Sequence, residues 1–162
     1  MIEVEKKFSL TPDQTKRIEE SAEFIKESTN TDIYYDTPDY RLLKKDRWLR
    51  NRNGQFETKI SPSWNKKINV YEEIADPEEI LKRLDIPKLT EDFEENLKLN
   101  GFEVLVQLVT KRRKFKIKDF IIDMDEVDYG YTICEIEKIV ENESEIEKAT
   151  EEIFQLATSL LV

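Results

Sequence analysis

The chain has 162 residues, a formal net charge of −10, and charged side chains at 38% of its positions. It contains one cysteine, Cys134, and no histidine. These counts exclude an intrachain disulfide, a cysteine–histidine zinc site and a histidine-dependent catalytic triad. The negative charge disfavours general binding to nucleic acid or to anionic membranes. Any metal would need oxygen ligands, which indicates Mg²⁺, Mn²⁺ or Ca²⁺.

The length predicts a single domain over residues 1–162, large enough to bury a core. The sequence shows no linker, no internal repeat, no signal-peptide pattern and no apolar run of membrane-spanning length. We therefore expect a cytoplasmic, monomeric protein that binds neither membranes nor nucleic acid.

The first predicted element is a β-strand with the sequence IEVEKKF, at residues 2–8. Because strand side chains alternate between faces, Glu3, Glu5 and Lys7 share one face. Two carboxylates and an ammonium group on one strand face need an explanation, which the later strands supply.

Three helical regions are predicted. The first covers residues 11–27, with Thr11 as N-cap and Pro12 in the first turn. The second is an insert over residues 77–99, broken near a proline, and the third covers 143–162 with an apolar stripe at helical spacing. Together they are sufficient to cover the outer face of a sheet.

Seven later segments repeat the alternation of the first strand. They read DIYYDT, DRWLRNR, QFETKI and INVYEEI before the helical insert, and KRRKFKI, FIIDMDEV and ICEIEKI after it. In the fourth, Glu73 lies on the charged face and Glu72 on the apolar one, where we expect a solvated edge residue. The charged faces separate by sign: acidic at Glu3, Glu5, Asp123, Asp125, Glu135 and Glu137; basic at Arg50, Arg52, Arg112 and Lys114.

This separation by sign distinguishes two interpretations of the alternation. An ordinary surface sheet also alternates apolar and polar residues, and its charges would face water. However, like charges two residues apart on one face repel each other. Bound ions would remove that repulsion: divalent cations for the carboxylates and a polyanion for the basic groups. A barrel with a polar lumen and outer helices that binds a metal–polyphosphate meets both needs.

Eight motifs, in this order, resemble the CYTH-domain family, the triphosphate tunnel metalloenzymes: IEVEKKF, YYDTP, WLRNR, ETK, YEEI, TKRRKFK, DMDEVDYGY and CEIEKI. Within that family, IEVE, YYDTP and WLR are most similar to the thiamine triphosphatase subgroup. The resemblance implies an α+β fold with a closed eight-stranded antiparallel β-barrel, a tunnel with a polar lumen braced by outer helices. It also implies metal-dependent hydrolysis of the terminal phosphate of a triphosphate.

The resemblance assigns roles to individual residues. The implied ligands of Mg²⁺, or of Mn²⁺ in its place, are Glu3, Glu5, Asp123, Glu135 and Glu137. The predicted substrate-binding residues are Lys7, Trp48, Arg50, Arg52, Lys59, Glu73, Arg112 and Lys114. Lys7 and Tyr34 resemble a catalytic pair that activates water, although Lys7 could equally serve only as a cation on the phosphate.

The predicted reaction converts thiamine triphosphate to thiamine diphosphate and phosphate, with Trp48 stacked on the cationic thiamine ring. One alternative is an inorganic tripolyphosphatase, in which Trp48 only lines the tunnel mouth. Two further alternatives are an adenylyl cyclase of the same fold and a non-catalytic module that binds polyphosphate. The predicted partner in the leading interpretation is a small-molecule triphosphate.

Overall fold

The computed structural model describes residues 1–61 and 68–162, and Trp64 lies outside them. The described residues form eight strands and four α-helices. In chain order these are β1 Ile2–Phe8, α1 Pro12–Ser21, β2 Glu23–Asp36, β3 Arg47–Arg52, β4 Gln55–Ile60, β5 Asn69–Ile74, α2 Pro77–Arg83, α3 Phe93–Leu99, β6 Glu103–Ile117, β7 Phe120–Val127, β8 Thr132–Val140 and α4 Ile146–Leu161. Short 3₁₀ turns, Leu43–Lys45 and Glu143–Glu145, precede β3 and α4.

The strands are hydrogen-bonded in the order β1-β5-β4-β3-β2-β6-β7-β8, and this order closes on β1 as a ring. The predicted α+β class and the eight antiparallel strands are therefore confirmed. In the part of the chain that the structure describes, no helix has the length and apolar character needed to cross a membrane.

The residues cluster into two compact units. Among the described residues, unit 1 holds Met1–Thr29, 68–71 and Val109–Val162, and unit 2 holds Asn30–Ser61 and Glu72–Leu108. The single domain over residues 1–162 stays a prediction. Each unit has its own apolar core, so each is described by itself.

In unit 1, α4 packs against β1, β8 and α1. Its buried residues are Ala149, Ile153, Ala157 and Leu160, at the spacing of one helical face, which confirms the predicted apolar stripe. This face completes a core with the apolar positions of the strands, including Val4, Ile122 and Ile136. Cys134 is buried in the same core.

In unit 2, α2 and α3 supply Ile80 and Leu97 to a core that also contains Leu49 of β3. Glu72 lies on the helix side of β5 and forms a bidentate ion pair with Arg83 of α2, at 3.0 and 2.6 Å. Glu72 is therefore not the edge residue that the sequence predicts, because β5 pairs with β4 at this position and a helix brings an arginine to the same side; its side chain is still 36% exposed.

The first helix is shorter than predicted. Thr11 caps it as expected, since its hydroxyl accepts from the Gln14 amide and the Gln14 side chain accepts from the Thr11 amide. The helix ends at Ser21 rather than at residue 27, because Ala22 is extended and β2 begins at Glu23. Pairing in a sheet here overrides local helix propensity.

Candidate active site

Four strands of unit 1 place their charged positions on one face. The registers join Arg112 to Asp125, Lys114 to Asp123, Asp123 to Glu135, Glu135 to Lys7, and Glu137 to Glu5. Directly paired residues of antiparallel strands project to the same side of a sheet. That face carries Lys116, which is exposed, and a set of neighbouring charged groups that we call the acidic cluster: Glu3, Glu5, Lys7, Arg112, Lys114, Asp123, Asp125, Glu135 and Glu137.

The acidic cluster has more negative than positive groups. It contains six carboxylates and three cationic side chains, a formal excess of three negative charges. Glu5 and Asp123 have no exposed surface, and Glu3 is 6% exposed. Carboxylates that are buried and outnumber the nearby cations repel one another unless an added cation neutralises them.

The basic groups of the acidic cluster hold the carboxylates in fixed positions. Arg112 donates from Nε and Nη2 to the two oxygens of Asp125 at 2.7 and 2.6 Å. It also bonds Asp123 through Nη1 and Glu135 through Nη2. Lys7 Nζ lies 2.8 Å from Glu5 and 3.1 Å from Glu135. Arg112 thus contacts three carboxylates and Lys7 contacts two, which orients their oxygens toward one region.

The pKa values of three groups in this cluster are raised, those of Lys7, Arg112 and Asp123. Burial lowers the pKa of Arg112 less than the carboxylates of Asp125, Asp123 and Glu135 raise it. Burial alone would lower the pKa of Lys7, but the carboxylates of Glu135 and Glu5 outweigh burial and raise the pKa above its usual value. Burial raises the pKa of Asp123, and the nearby Arg112 and Lys114 only partly offset this. Lys7 is therefore a firmly protonated cation in the metal-free protein.

The residues of the acidic cluster fit a divalent cation. Carboxylate oxygens of Glu3, Glu5 and Glu137 lie within 4.8 Å of one another. Asp123 Oδ1 is buried and accepts no hydrogen bond from the described residues, although Lys114 Nζ lies 3.0 Å from it. An all-carboxylate set of this kind suits Mg²⁺ or Mn²⁺.

Unit 2 builds a second charged face from β2, β3, β4 and β5. The registers join Tyr34 to Arg50, Asp32 to Arg52, Trp48 to Lys59, Arg50 to Glu57, and Lys59 to Glu73. We call this set the arginine cluster: Asp32, Tyr34, Trp48, Arg50, Arg52, Glu57, Lys59 and Glu73. It has three cationic groups and three carboxylates, so its formal charge is balanced.

The arginines are paired inside the arginine cluster. Arg52 forms a bidentate pair with Asp32, at 2.6 and 2.7 Å. Arg50 donates from Nε to Glu57 at 2.5 Å and from Nη1 to the Tyr34 hydroxyl at 3.3 Å. Planar guanidinium groups that bind carboxylates bidentately can bind phosphate oxygens in the same way.

The remaining basic group of the arginine cluster shares a carboxylate. Lys59 Nζ lies 3.5 Å from a Glu73 oxygen, and Arg50 Nη2 lies 3.8 Å from the same atom. The Glu73 side chain is 46% exposed, so it can move away when an anion binds. These contacts also confirm that Glu73, rather than Glu72, lies on the charged face.

Trp48 is an aromatic residue on this charged face. Its indole N–H donates to Asp46 Oδ1 at 3.0 Å, and its ring meets the edge of Tyr34 at a centroid distance of 5.9 Å and an angle of 81°. Trp48 is 36% exposed. An indole that is partly exposed beside two arginines can stack on a ring carried by a phosphorylated ligand.

The structure brings together the predicted residues within each unit. Unit 1 holds all five predicted metal ligands with Lys7, Arg112 and Lys114; unit 2 holds Tyr34, Trp48, Arg50, Arg52, Lys59 and Glu73. Three carboxylates that pair with the arginines, Asp32, Glu57 and Asp125, were not predicted as site residues. Each lies two positions from a predicted residue, so the alternation of period two could have found them.

Comparisons with known proteins identify the family of this chain. The family model described as CYTH domain matches residues 1–162. Human thiamine-triphosphatase is 27% identical, with 99% of this chain and 77% of the relative aligned. The enzyme of the same name from Macaca fascicularis is 29% identical over the same shares. The structure of the PH1819 protein of Pyrococcus horikoshii OT3 matches with a TM-score of 0.74 and 26% identity, over 98% of this chain and 89% of that one. The chain therefore belongs to the CYTH domain family.

Proposed function

We propose that this protein hydrolyses the terminal phosphate of a small-molecule triphosphate with the help of Mg²⁺ or Mn²⁺. The observation that carries the proposal is the acidic cluster, in which six buried or half-buried carboxylates converge with only three cations. Membership of the CYTH family supports a triphosphatase. The polar tunnel that the resemblance implies, and a monomeric state, belong to the same proposal.

The five carboxylates assigned as metal ligands hold the cation in this proposal: Glu3, Glu5, Asp123, Glu135 and Glu137. When bound, the cation supplies positive charge to the phosphate oxygens and lowers the energy of the charge that develops on them. Arg112 has a positioning role, because it binds Asp123, Asp125 and Glu135 at once and so keeps the ligand oxygens in place.

Arg50, Arg52 and Lys59 bind phosphate oxygens in this proposal. Phosphoryl transfer needs substrate positioning and charge stabilisation more than covalent help from the protein. Each of these groups already holds a carboxylate. A phosphate replaces the partly exposed Glu57 at Arg50 and Glu73 at Lys59, whereas it binds Arg52 beside the buried Asp32. Such an exchange leaves no guanidinium group unpaired before the substrate arrives.

Lys7 acts as a phosphate-binding cation in this proposal. In the protein without a bound cation, burial is outweighed by the carboxylates of Glu135 and Glu5, which raise the pKa of Lys7, so Lys7 carries a positive charge that can bind phosphate oxygens. Tyr34, whose hydroxyl accepts from Arg50, has a positioning role for that arginine. A water-activating pair of Lys7 and Tyr34 is the alternative, and Lys7→Arg separates the two, because arginine binds phosphate but cannot lose its proton.

Thiamine triphosphate is the substrate that the residues favour. The two curated relatives are named thiamine-triphosphatase, and the exposed indole of Trp48 suits a cationic thiazolium ring. Inorganic tripolyphosphate is the second candidate, since the paired arginines and the acidic cluster need only the phosphates.

A phosphate-release assay tests the proposal. Thiamine triphosphate, tripolyphosphate and ATP are each incubated with the protein in Mg²⁺, in Mn²⁺ and in EDTA. We expect turnover with a divalent cation, none in EDTA, and the highest kcat/KM for thiamine triphosphate. Binding of all three without turnover would replace hydrolysis by the polyphosphate-binding module, and formation of cyclic AMP from ATP would indicate a cyclase. Faster turnover of tripolyphosphate would assign the site to that substrate.

A further inference from the structure

The indole of Trp48 is held at its N–H by Asp46, a residue with no role assigned so far. We propose that Asp46 is a positioning residue that sets the preference of this site for triphosphates carrying a cationic ring. The inference rests on the proposed function, because it concerns how the ring platform is held for a ring-bearing substrate.

The backbone of Asp46 is fixed by its conformation and by two backbone hydrogen bonds. Its φ of 51° and ψ of 46° lie in the left-handed region, which aspartate, asparagine and glycine adopt more readily than other residues. The Asp46 amide donates to the Leu43 carbonyl at 3.0 Å, and its own carbonyl accepts from the Ser61 amide at 3.4 Å. The carboxylate therefore starts from a defined position and direction.

The turn that carries Asp46 is anchored in its own right. Asp36, at the end of β2, accepts from the backbone amides of Leu42 and Leu43, both at 3.0 Å. Asp36 is 2% exposed, so these bonds are shielded from water and stay formed. The position of Asp46 is thus tied to the end of β2, the strand that carries Asp32 and Tyr34 of the arginine cluster.

Three contacts with described residues act on the position of Trp48. Its carbonyl accepts from the Thr58 hydroxyl at 2.7 Å, its N–H donates to Asp46 at 3.0 Å, and its ring meets Tyr34 edge-on. Tyr34 in turn accepts from Arg50. Of these three contacts, the bond to Asp46 is the hydrogen bond made by the indole ring itself, so it favours the ring rotation that points the N–H at the carboxylate.

An indole of Trp48 that is fixed in advance favours only ligands that stack a ring on it. Ordering a free aromatic side chain costs conformational entropy at the moment of binding. With Asp46 in place this ordering occurs on folding, so a stacked ring binds more tightly. Tripolyphosphate has no ring, so the same contact does not change its affinity. Asp46 therefore acts on the ratio of the two affinities rather than on phosphate binding itself.

Two variants separate the side-chain contact from the backbone conformation. Asp46→Gly keeps the left-handed backbone and removes the acceptor, whereas Asp46→Asn keeps both, because an amide oxygen also accepts an N–H. We expect Asp46→Gly to raise the KM for thiamine triphosphate by about five- to tenfold, the equivalent of one hydrogen bond. Its KM for tripolyphosphate should change by less than about twofold, and Asp46→Asn should stay near the wild type for both substrates.

Fluorescence gives a second readout that does not depend on turnover. In a Trp64→Phe background, Trp48 is the single tryptophan, since the sequence has two. Thiamine diphosphate is titrated in EDTA, and quenching of the indole emission reports stacking. We expect the dissociation constant to rise with Asp46→Gly by the same factor as KM, and to return with Asp46→Asn. Thermal unfolding followed by circular dichroism checks that every variant is folded.

The outcomes distinguish this inference from the proposed function. If the wild type hydrolyses no triphosphate, the proposed function fails whatever Asp46 does. If the wild type hydrolyses thiamine triphosphate but Asp46→Gly leaves its KM and the quenching unchanged, the inference is overturned. It is also overturned if Asp46→Gly weakens both substrates equally, or if Asp46→Asn behaves like Asp46→Gly, since the effect would then not be positioning through this hydrogen bond.

Discussion

The acidic cluster and the arginine cluster are built by the same device, a strand face with a charge at every second residue, yet their charge balance differs. Six carboxylates share three cations in the first, and three share three in the second. The first set is incomplete without an added cation, whereas the second is satisfied as it stands. The difference shows that a charged strand face is not by itself a metal site; the excess of one sign makes it one.

The clusters also differ in how firmly their carboxylates are held. Glu5 and Asp123 have no exposed surface, whereas the side chains of Glu57 and Glu73 are 25% and 46% exposed. Asp32 is the exception in the arginine cluster, since its side chain is only 4% exposed. Buried carboxylates stay in place, whereas Glu57 and Glu73 can yield to a competing anion. Four experiments test these differences.

The largest effect is expected from removing one of the excess negative charges of the acidic cluster. Glu137→Gln should weaken Mn²⁺ binding by about a hundredfold, measured by calorimetric titration, and phosphate release should fall with it. In EDTA the same variant should melt at a higher temperature, because less like-charge repulsion remains.

The matched control for Glu137→Gln lies in the balanced cluster. Glu57→Gln also removes one carboxylate from a strand face. It should leave the Mn²⁺ affinity within about twofold of the wild type, since Glu57 lies in the arginine cluster and not among the proposed metal ligands. Equal losses of Mn²⁺ affinity in the two variants would contradict the contrast between the clusters.

The second effect concerns stability in unit 2. Arg52→Ala leaves the Asp32 carboxylate, 4% exposed, without its bidentate partner, and should lower the free energy of unfolding by about 2 kcal/mol. Arg83→Ala breaks another bidentate pair, with Glu72, but both side chains are about one-third exposed, so it should cost only about 0.5 kcal/mol. Urea denaturation of both variants in EDTA measures the difference; similar losses would show that burial does not set the strength of these pairs.

The third effect tests whether an internal cation competes with the metal. Lys114 Nζ lies 3.0 Å from Asp123 and 3.8 Å from Glu137, both of which we propose as metal ligands. Lys114→Met should therefore tighten Mn²⁺ binding about fivefold in calorimetry. Lys111→Met removes the same charge from the other face of β6, where Lys111 pairs with Glu27, and should change the affinity little. A weaker affinity in Lys114→Met would mean that Lys114 organises the ligands instead of competing.

The smallest effect involves the thiol on the apolar face of β8. Burial, together with the nearby Glu135, Asp123 and Asp125 carboxylates, raises the pKa of Cys134 from 9.0 to about 12. The folded protein keeps this thiol protonated to a higher pH than the unfolded chain does. The free energy of unfolding therefore falls as the pH rises from 9.0 toward about 12, because the unfolded thiol ionises first.

A thiol reagent checks this expectation for Cys134. At pH 8 the folded protein should react with the reagent far more slowly than the protein in urea, because the thiolate is the reactive form and the side chain is buried. Rapid modification of the folded protein would show that this face of unit 1 opens easily.

Much of the fold could be predicted because its signals are local. The alternation in IEVEKKF and FIIDMDEV agrees with the strand register, which pairs Glu5 with Glu137, Lys7 with Glu135 and Asp123 with Glu135, and the cap of α1 at Thr11 was recognisable from its neighbours. The end of α1 was not, because residues 23–27 belong to β2, whose pairing with other strands is not contained in a local pattern.

Which side chains share a strand face follows from the sequence alone, since a period of two decides this within each strand. Which charges pair follows from the three-dimensional structure: Arg52 holds Asp32, Arg112 joins three carboxylates, and Asp46 holds the indole of Trp48. Those pairings depend on the register between strands and on the path of a turn, and the alternation within one strand specifies neither.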